Sequence, residues 1–140
     1  MIIIRPTTNL SESALFTITN MREYYDHYGV EWDVNTIEEM ISGLENWDIV
    51  LNDKVIGAMR LAFDGQECYL RDLQIDTSFQ NRGIGAAALN QCERLAKEAG
   101  ATMLKLRVFV ISPAIHLYER FGFSIDKQED NFYYMIKPVL

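Results

Sequence analysis

Hydrophobic residues recur along this 140-residue chain at two spacings, every third or fourth position in some segments and every second position in others. The first spacing is typical of helices that bury one face, and the second is typical of strands in a half-buried sheet. Four helices are predicted at residues 15–25, 35–44, 83–99 and 112–121, and seven strands at residues 2–5, 47–51, 54–63, 67–75, 102–110, 123–127 and 132–137. This order indicates a mixed α/β fold in a single domain over residues 1–140.

Local signals mark the turns of the middle segment. Asn52-Asp53 and Asp64-Gly65 have the residue types of tight hairpin turns. The strands on either side of them, residues 47–51, 54–63 and 67–75, are therefore expected to form an antiparallel meander.

The second predicted helix carries its own start signal. Thr36 and Glu39 have the spacing of a capping box, in which each side chain accepts a hydrogen bond from a backbone N–H group at the helix start. Helical spacing then predicts a buried apolar face that consists of Ile37, Met40, Ile41 and Leu44.

The third strand of the meander departs from strict alternation. Leu70 and Leu73 are three residues apart, whereas Leu73 and Ile75 are two apart. An extra residue around Arg71-Asp72, a β-bulge, would return these apolar side chains to one face and bend the strand away from its neighbour. The alternative is that Tyr69 is the buried residue and that Leu70 only faces a covering helix.

Composition and charge restrict the classes of partner. A formal net charge of −7 with no basic run disfavours nucleic acid. The apolar run at residues 2–4 is too short for a signal peptide, and no later run approaches a membrane span. Cys68 and Cys92 lie in apolar-patterned segments without metal-ligand spacing, so both are expected in the core. A cytoplasmic protein without a metal site, which binds neither nucleic acid nor membrane, is therefore expected.

A glycine-containing loop precedes the third predicted helix. Unpaired N–H groups at a helix start point along the positive end of the helix dipole and form an anion site. Gly83 and Gly85 would let a phosphate approach the backbone, and Arg82 would add positive charge. The alternative is that these glycines only permit a tight turn and close packing.

Two known phosphate-binding patterns fit this loop poorly. A Walker loop needs Lys and then Ser or Thr after its second glycine, whereas Ala86 and Ala87 follow Gly85. Residues 83–88 do fit the dinucleotide pattern Gly-x-Gly-x-x-Ala, but that pattern directly follows a buried parallel strand. Here the polar spacer DTSFQNR intervenes, so a nicotinamide cofactor is disfavoured.

Two motifs lie in register, with a helix and a strand between them. Residues 80–85 read QNRGIG, and residues 112–123 read SPAIHLYERFGF. The first resembles the pyrophosphate-binding signature Gln/Arg-x-x-Gly-x-Gly/Ala of the GNAT superfamily of N-acetyltransferases, and the second is similar to that superfamily's Asn-Pro-Ala-x-x-Leu-Tyr-Glu-x-x-Gly-Phe segment. The predicted element order matches the superfamily along the whole chain. The resemblance implies a mostly antiparallel twisted sheet of about six to seven strands with one splayed pair, flanked by about four helices.

The resemblance also implies acetyl-CoA as the cofactor. Backbone N–H groups of residues 82–86 would bind its pyrophosphate, and backbone groups of residues 73–75 would pair with its pantetheine arm. Ser112 stands where the family often has an Asn that contacts the pantetheine, a departure that would weaken one contact. The implied cofactor residues are Leu73, Gln74, Ile75, Gln80, Asn81, Arg82, Gly83, Ile84, Gly85, Ala86 and Ser112.

Acetyl transfer to an amine needs a proton donor for the departing thiolate. The resemblance assigns this role to Tyr118, because a phenol stays protonated at pH 7 and can donate to sulfur. The alternative is that Tyr118 packs with Leu117 and Phe121 on a core-facing helix. His116, two residues earlier on the same helix, is expected to face solvent.

The ammonium group of the acceptor must lose a proton before it attacks. Asp72 is the candidate proton acceptor because it lies at the suspected bulge, close in sequence to the implied acetyl site. Glu31, Asp33 and His27 are the alternatives. Acidic residues on solvated faces are common, so the choice among these groups stays open.

An aromatic and acidic segment, MREYYDHYGVEWD, resembles the N-terminal segment of one group of small bacterial GNAT proteins. Aromatic walls and carboxylates suit a cationic amine. The acceptor site is therefore assigned to Tyr24, Tyr25, Tyr28, Glu31 and Trp32, with helix packing as the alternative role of some of them. A small amine, a protein N-terminus and a lysine side chain all stay open as acceptors.

Two functions of different classes are consistent with these residues. The first is an acetyl-CoA-dependent N-acetyltransferase that acts on a primary amine as a monomer or homodimer. The alternative is a regulatory module that binds acyl-CoA without turnover. The motif residues are common to both, so they do not separate the two.

Overall fold

The computed structural model describes all 140 residues and contains four helices and seven strands. The helices are α1 (Leu10–Tyr28), α2 (Val34–Ile41), α3 (Ile84–Glu98) and α4 (Ala114–Phe121). The strands are β1 (Ile2–Pro6), β2 (Glu45–Leu51), β3 (Lys54–Asp64), β4 (Glu67–Ile75), β5 (Met103–Phe109), β6 (Ser124–Glu129) and β7 (Phe132–Pro138). The predicted element order is confirmed, with differences of one to several residues at element ends.

The strands form one mixed sheet in the order β1-β2-β3-β4-β5-β7-β6. β1 pairs antiparallel with β2, and β7 pairs antiparallel with both β5 and β6. β4 and β5 are parallel, and their pairing joins Glu67–Leu70 to Met103–Leu106. β4 continues beyond this pairing to Ile75, so the residues implied in pantetheine binding lie outside it.

The chain divides into two compact units. The first comprises Met1–Arg60 with Asp72–Ile84, and the second comprises Leu61–Arg71 with Gly85–Leu140. In the first unit, α1 and α2 pack through a cluster of buried side chains, Ala14, Ile18, Ile37 and Ile41.

The core of the second unit contains both cysteines. Cys68 of β4 and Cys92 of α3 are fully buried and are not joined by a disulfide. A hydrogen bond with the Cys68 thiol, together with burial, raises the pKa of Cys92 far above its ordinary value. The expectation that both cysteines lie in the core is confirmed.

The start of α2 corrects one prediction. Asp33 is the N-cap, because its carboxylate accepts a hydrogen bond from the Thr36 N–H group at 2.7 Å. Thr36 therefore lies inside the helix, and the predicted capping box is wrong. The expected apolar face is also partly wrong, since Met40 is exposed and the helix ends before Leu44.

The exposure of β4 bears on its predicted irregularity. Leu70 is buried and Tyr69 is half-buried, so the alternative in which Tyr69 is the buried residue is wrong. Farther along β4, the Gln74 side chain accepts a hydrogen bond from α1 and so faces that helix. Because side chains alternate along a strand, the neighbouring Ile75 side chain lies on the opposite face. The bulge itself stays a prediction.

Candidate functional site

The loop before α3 is held by its own side chains. Asp76 Oδ1 accepts a hydrogen bond from the Ser78 N–H group at 2.9 Å and caps the 3-10 turn Thr77–Phe79. Gln80 Nε2 donates to the Ile75 carbonyl oxygen at 3.0 Å. These contacts tie the loop to the end of β4.

Two residues of this loop have left-handed backbone conformations. Asn81 has a φ of 61° and Gly83 a φ of 79°. A Cβ atom at Gly83 would meet no atom within 4 Å, so its backbone conformation, and not a lack of space, favours glycine there. α3 begins at Ile84 and has no acidic residue in its first turn. Left-handed loop residues and unpaired N–H groups at a helix start together fit a phosphate group.

Gly85 has a different role from Gly83. A Cβ atom on Gly85 would lie 2.6 Å from Leu117 Cδ2 of α4, so Leu117 would have to move to make room. The missing side chain therefore lets α3 and α4 pack closely. Of the two explanations left open for the glycines, close packing accounts for Gly85, whereas Gly83 supplies a left-handed turn.

Two cations lie over one aromatic ring beside this loop. The guanidinium carbon of Arg82 lies 5.3 Å from the ring centroid of Phe79, and Lys54 Nζ lies 5.5 Å from it. Lys54 was absent from the sequence-predicted site, because it belongs to β3 and is distant from the loop along the chain. The loop therefore carries more positive charge than its own sequence indicates.

The remaining implied cofactor residues have structural contacts of their own. Gln74 is buried, and its Oε1 accepts a hydrogen bond from Asn20 Nδ2 at 2.8 Å. Ser112 Oγ accepts from the Ala114 N–H group at 3.2 Å, at the start of α4. The cofactor roles of residues 73–75 and of Ser112 stay predictions.

Tyr118 is buried on α4, with 7% of its surface exposed. Its ring packs edge to face against Phe123, with centroids 5.9 Å apart, and its carbonyl oxygen accepts from the Phe123 N–H group at 3.0 Å. Core packing therefore accounts for part of the role of Tyr118, and the proton-donor role stays a prediction. His116 is exposed, as expected.

A buried arginine organises the first unit. Arg60 on β3 has no exposed surface, and it donates five hydrogen bonds, one for each of its N–H groups. The acceptors are Asn46 Oδ1 at 2.8 Å, Thr17 Oγ1 at 2.7 Å, Ser13 O at 3.1 Å, Ser13 Oγ at 2.6 Å and Asp72 Oδ2 at 3.2 Å. Asp72 is the charged partner in this set, and its side chain is 28% exposed.

Two residues that the sequence assigned to separate roles, Tyr25 and Asp72, interact electrostatically. Burial raises the pKa of Tyr25, the negative charge of Asp72 raises it further, and the positive charge of Arg60 opposes this. Tyr25, expected in the acceptor site, therefore lies within electrostatic reach of Asp72, the candidate proton acceptor. The proton-acceptor role of Asp72 stays a prediction, and its ion pair with Arg60 adds a structural role.

The other residues of the predicted acceptor site lie at the end of α1 and in the loop after it. Tyr24 and Tyr28 are half-buried, whereas Glu31 and Trp32 are exposed, with 38% of the Trp32 surface accessible. His27 is exposed, and its ring contacts that of Tyr28 edge to face at 4.7 Å between centroids.

Asp33, an alternative proton acceptor, is engaged elsewhere. Its carboxylate caps α2, and hydrogen bonds from Thr36 lower its pKa. A carboxylate with a lowered pKa is a weaker base, so Asp33 is a poorer candidate than its position in the sequence suggests.

Two cavities open on the first unit. One of about 350 Å³ lies between α1 and the turn that starts at Asp76, and one of about 170 Å³ lies between the start of α1 and strands β1 to β3. The aromatic residues predicted for the acceptor site line neither of them.

No group of three or more His, Cys, Asp or Glu side chains has the arrangement of a metal site. None of the four helices combines the length and apolar character needed to span a membrane.

Comparison with known sequences identifies one protein family. A sequence model of the Acetyltransferase (GNAT) family matches residues 12–123, which is most of the chain. A segment of 53 residues, 38% of this chain, is 36% identical to the uncharacterized protein YdhI of Bacillus subtilis and covers 32% of that protein. The match thus spans about a third of the length of this curated relative.

Solved structures resemble the whole chain. The PaiA N-acetyltransferase of Thermoplasma acidophilum in complex with coenzyme A is 17% identical, with 99% of both chains covered and a TM-score of 0.77. An acetyltransferase of the GNAT family from Staphylococcus aureus Mu50 is 18% identical, with 100% of both chains covered and a TM-score of 0.79. The ribosomal-protein-S18-alanine N-acetyltransferase of Escherichia coli is 20% identical over 99% of this chain and 94% of its own, with a TM-score of 0.77. At these identities the likeness establishes the fold.

Proposed function

Because the chain belongs to the GNAT acetyltransferase family, we propose that it is an N-acetyltransferase that transfers the acetyl group of acetyl-CoA to a primary amine. The observation that carries this proposal is the loop directly before α3, with left-handed Asn81 and Gly83. Such a loop suits a diphosphate, because it presents N–H groups and places no side chain at Gly83. Bound acetyl-CoA supplies an activated acyl carbon as a thioester.

The cofactor is held mainly by backbone groups. N–H groups of residues 82–86 bind the pyrophosphate, while Gln80 holds the loop against the end of β4. Backbone groups of residues 73–75 bind the pantetheine arm in the manner of an added strand. These residues lie beyond the pairing of β4 with β5, which supports this role.

Tyr118 serves as the proton donor. A phenol with an ordinary pKa of about 10 is protonated at neutral pH, and a thiol has an ordinary pKa of about 8.5, so the departing thiolate is basic enough to take up a proton. The packing of the Tyr118 ring against Phe123 limits the positions that its hydroxyl can take. A fixed donor is more effective than one that must be oriented during the reaction.

Asp72 serves as the proton acceptor for the amine, directly or through water. Arg60 holds its carboxylate in one orientation through the 3.2 Å ion pair. Tyr24, Tyr25 and Tyr28 border the acceptor at the end of α1, and the exposed Glu31 and Trp32 lie in the loop beside them. The carboxylates and aromatic rings of this region would favour a cationic amine.

Acetyl-CoA is expected to raise the melting temperature of the protein, because a ligand that binds only the native state stabilises it by mass action. At a concentration one hundred times its Kd the gain is about 2.7 kcal/mol. Gly83→Val should abolish this shift, since a β-branched side chain both strains the left-handed turn and obstructs the loop. Differential scanning fluorimetry with acetyl-CoA and NADH measures the effect, and NADH should give no shift.

Gly65→Val is the matched control. Gly65 also has a left-handed φ, 59°, with no atom within 4 Å of an added Cβ, but it lies in the turn between β3 and β4. The Gly65→Val variant should therefore lose a similar amount of stability, but acetyl-CoA should still raise its melting temperature. If acetyl-CoA raised the melting temperature of Gly83→Val as much as that of the original protein, the loop would not be part of the cofactor site.

Trp32→Ala is expected to raise the KM for the amine about threefold to tenfold, because it removes an aromatic face from a cationic substrate. The Kd of acetyl-CoA, measured by calorimetry, should stay within a factor of two or so of the original. Equal losses in both quantities would instead make Trp32 a structural residue.

A second function, the binding of acyl-CoA without turnover, is favoured by one observation. The Asp72 carboxylate is paired with Arg60, and the Asp33 carboxylate caps α2, so two candidate proton acceptors already have structural roles. A screen of primary amines for acetyl-CoA-dependent release of free thiol separates the two functions. Release with any amine supports the enzyme, and binding without release across the screen supports the module.

A further inference from the structure

The cavity of about 170 Å³ on the first unit contains a buried carboxylate with one open oxygen. Asp48 of β2 lines this cavity and is only 7% exposed. Its Oδ1 atom accepts a hydrogen bond from the Thr7 hydroxyl at 2.8 Å, and no group of the protein donates to its Oδ2 atom. Since the Trp47 indole nitrogen is the one enclosed polar side-chain atom without a hydrogen-bond partner, Asp48 Oδ2 must be open to the cavity. A carboxylate in this position suits a cationic ligand, because its desolvation is otherwise poorly compensated.

Arg5 faces Asp48 from the neighbouring strand but does not neutralise it. The two residues are cross-strand partners of β1 and β2, so their side chains share one face of the sheet, and both line the cavity. The ion pairs of the structure involve other basic residues, so the Arg5 guanidinium is not in contact with the Asp48 carboxylate. Two opposite charges that line one cavity without touching suit a molecule that carries a positive and a negative group.

The rest of the lining restricts the size and the polarity of such a ligand. Glu12, in the first turn of α1, adds a second carboxylate. Phe16, Ala58 and Val55 supply apolar surface, and Val55 is 36% exposed. The cavity is smaller than the roughly 300–1,000 Å³ of sites for drug-sized molecules, so its ligand must be small.

We propose that this cavity binds a free α-amino acid with a small apolar side chain, its ammonium group at Asp48 and its carboxylate at Arg5. Glu12 adds to the attraction for the ammonium group, and the apolar side chain covers Val55. All of these residues belong to the first unit, and none of them is among the residues proposed for the cofactor or the amine acceptor. The site is therefore additional to the proposed active site, and the inference does not depend on acetyl transfer.

The test is calorimetric titration of the whole protein, without acetyl-CoA, with L-valine, isobutylamine and isovalerate. Isobutylamine is valine without the carboxylate, and isovalerate is valine without the ammonium group. Each analogue lacks one charge-assisted contact, so each should bind about tenfold to a hundredfold more weakly than L-valine. Equal binding of L-valine and either analogue would overturn the inference, as would the absence of L-valine binding. Neither result would affect the proposed function, which depends on acetyl-CoA.

Variants at the two charged positions assign the two ends of the ligand. Asp48→Asn should weaken L-valine and isobutylamine binding about tenfold or more and leave isovalerate binding unchanged. Asparagine keeps an oxygen for the Thr7 hydroxyl and removes a buried charge, so the melting temperature should stay the same or rise. Arg5→Gln, at an exposed residue, should weaken L-valine and isovalerate binding but not isobutylamine binding. Asp126→Asn, on the exposed strand β6, removes a carboxylate elsewhere and should change none of these affinities.

The proposed acceptor site is the competing location, because L-valine is itself a primary amine. Trp32→Ala should leave the Kd of L-valine unchanged, since Trp32 does not line the cavity. Loss of L-valine binding in Trp32→Ala, with full binding in Asp48→Asn, would overturn the inference and assign L-valine to the acceptor site.

Discussion

Replacing Tyr118 by phenylalanine is expected to lower turnover by about a hundredfold to ten-thousandfold, the usual effect of losing a positioned acid. The ring stays, so the contact with Phe123 and the fold should survive. Acetyl-CoA should still bind, because the loop holds it through backbone groups. Steady-state turnover, measured beside a calorimetric titration with acetyl-CoA, checks both expectations.

Tyr134→Phe is the matched control for this substitution. Tyr134 lies on β7 outside the proposed site, so loss of its hydroxyl should leave turnover near that of the original protein. Full turnover in Tyr118→Phe would end the proton-donor role. A loss of turnover explained wholly by weaker acetyl-CoA binding would make Tyr118 a cofactor contact.

Asp72→Asn is expected to lower the free energy of unfolding by about 2–4 kcal/mol, because it leaves the buried Arg60 guanidinium without a charged partner. The expected loss is at the lower end of the range for buried pairs, since Asp72 is 28% exposed and partly screened by solvent. Urea unfolding measures it. Turnover of the variant must then be compared under conditions where most of the protein is folded.

A double-mutant cycle isolates the ion pair. With Arg60 replaced by methionine, Asp72→Asn should cost less than about 1 kcal/mol, because no buried charge is left to compensate. If Asp72→Asn lowered the free energy of unfolding equally with Arg60 present and with Arg60 replaced by methionine, the ion pair between Asp72 and Arg60 would be contradicted. If Asp72 also accepts the substrate proton, Asp72→Asn should flatten the acidic limb of the pH profile of kcat/KM, since a base works only when deprotonated.

The element order could be predicted because its signals are local. The apolar spacing that defines α3 and the residue types of the Asn52-Asp53 turn lie within a few residues of each other. Local signals alone do not fix the start of α2. Asp33 and Thr36 are three residues apart, and both are residue types that cap helices. Only the observed hydrogen bond from Thr36 to Asp33 distinguishes the two starts.

The partners of Arg60 and Lys54 could not be predicted, because they are distant along the chain. Arg60 bonds to residues 12 to 47 positions away, and Phe79, the partner of Lys54, lies on another element. One signal was present for the arginine. Arg60 is the charged residue within the otherwise apolar run VIGAMRLAF, and a charge buried in such a strand needs a partner.

The burial of Cys68 and Cys92 has a practical consequence for measuring this chemistry. Thiolates react with disulfide reagents, and both thiols are shielded from solvent, with the pKa of Cys92 raised. A colorimetric reagent added during turnover should therefore report released coenzyme A with little background from the folded protein. The same reagent without acetyl-CoA becomes a probe of unfolding, because both thiols react once the core opens.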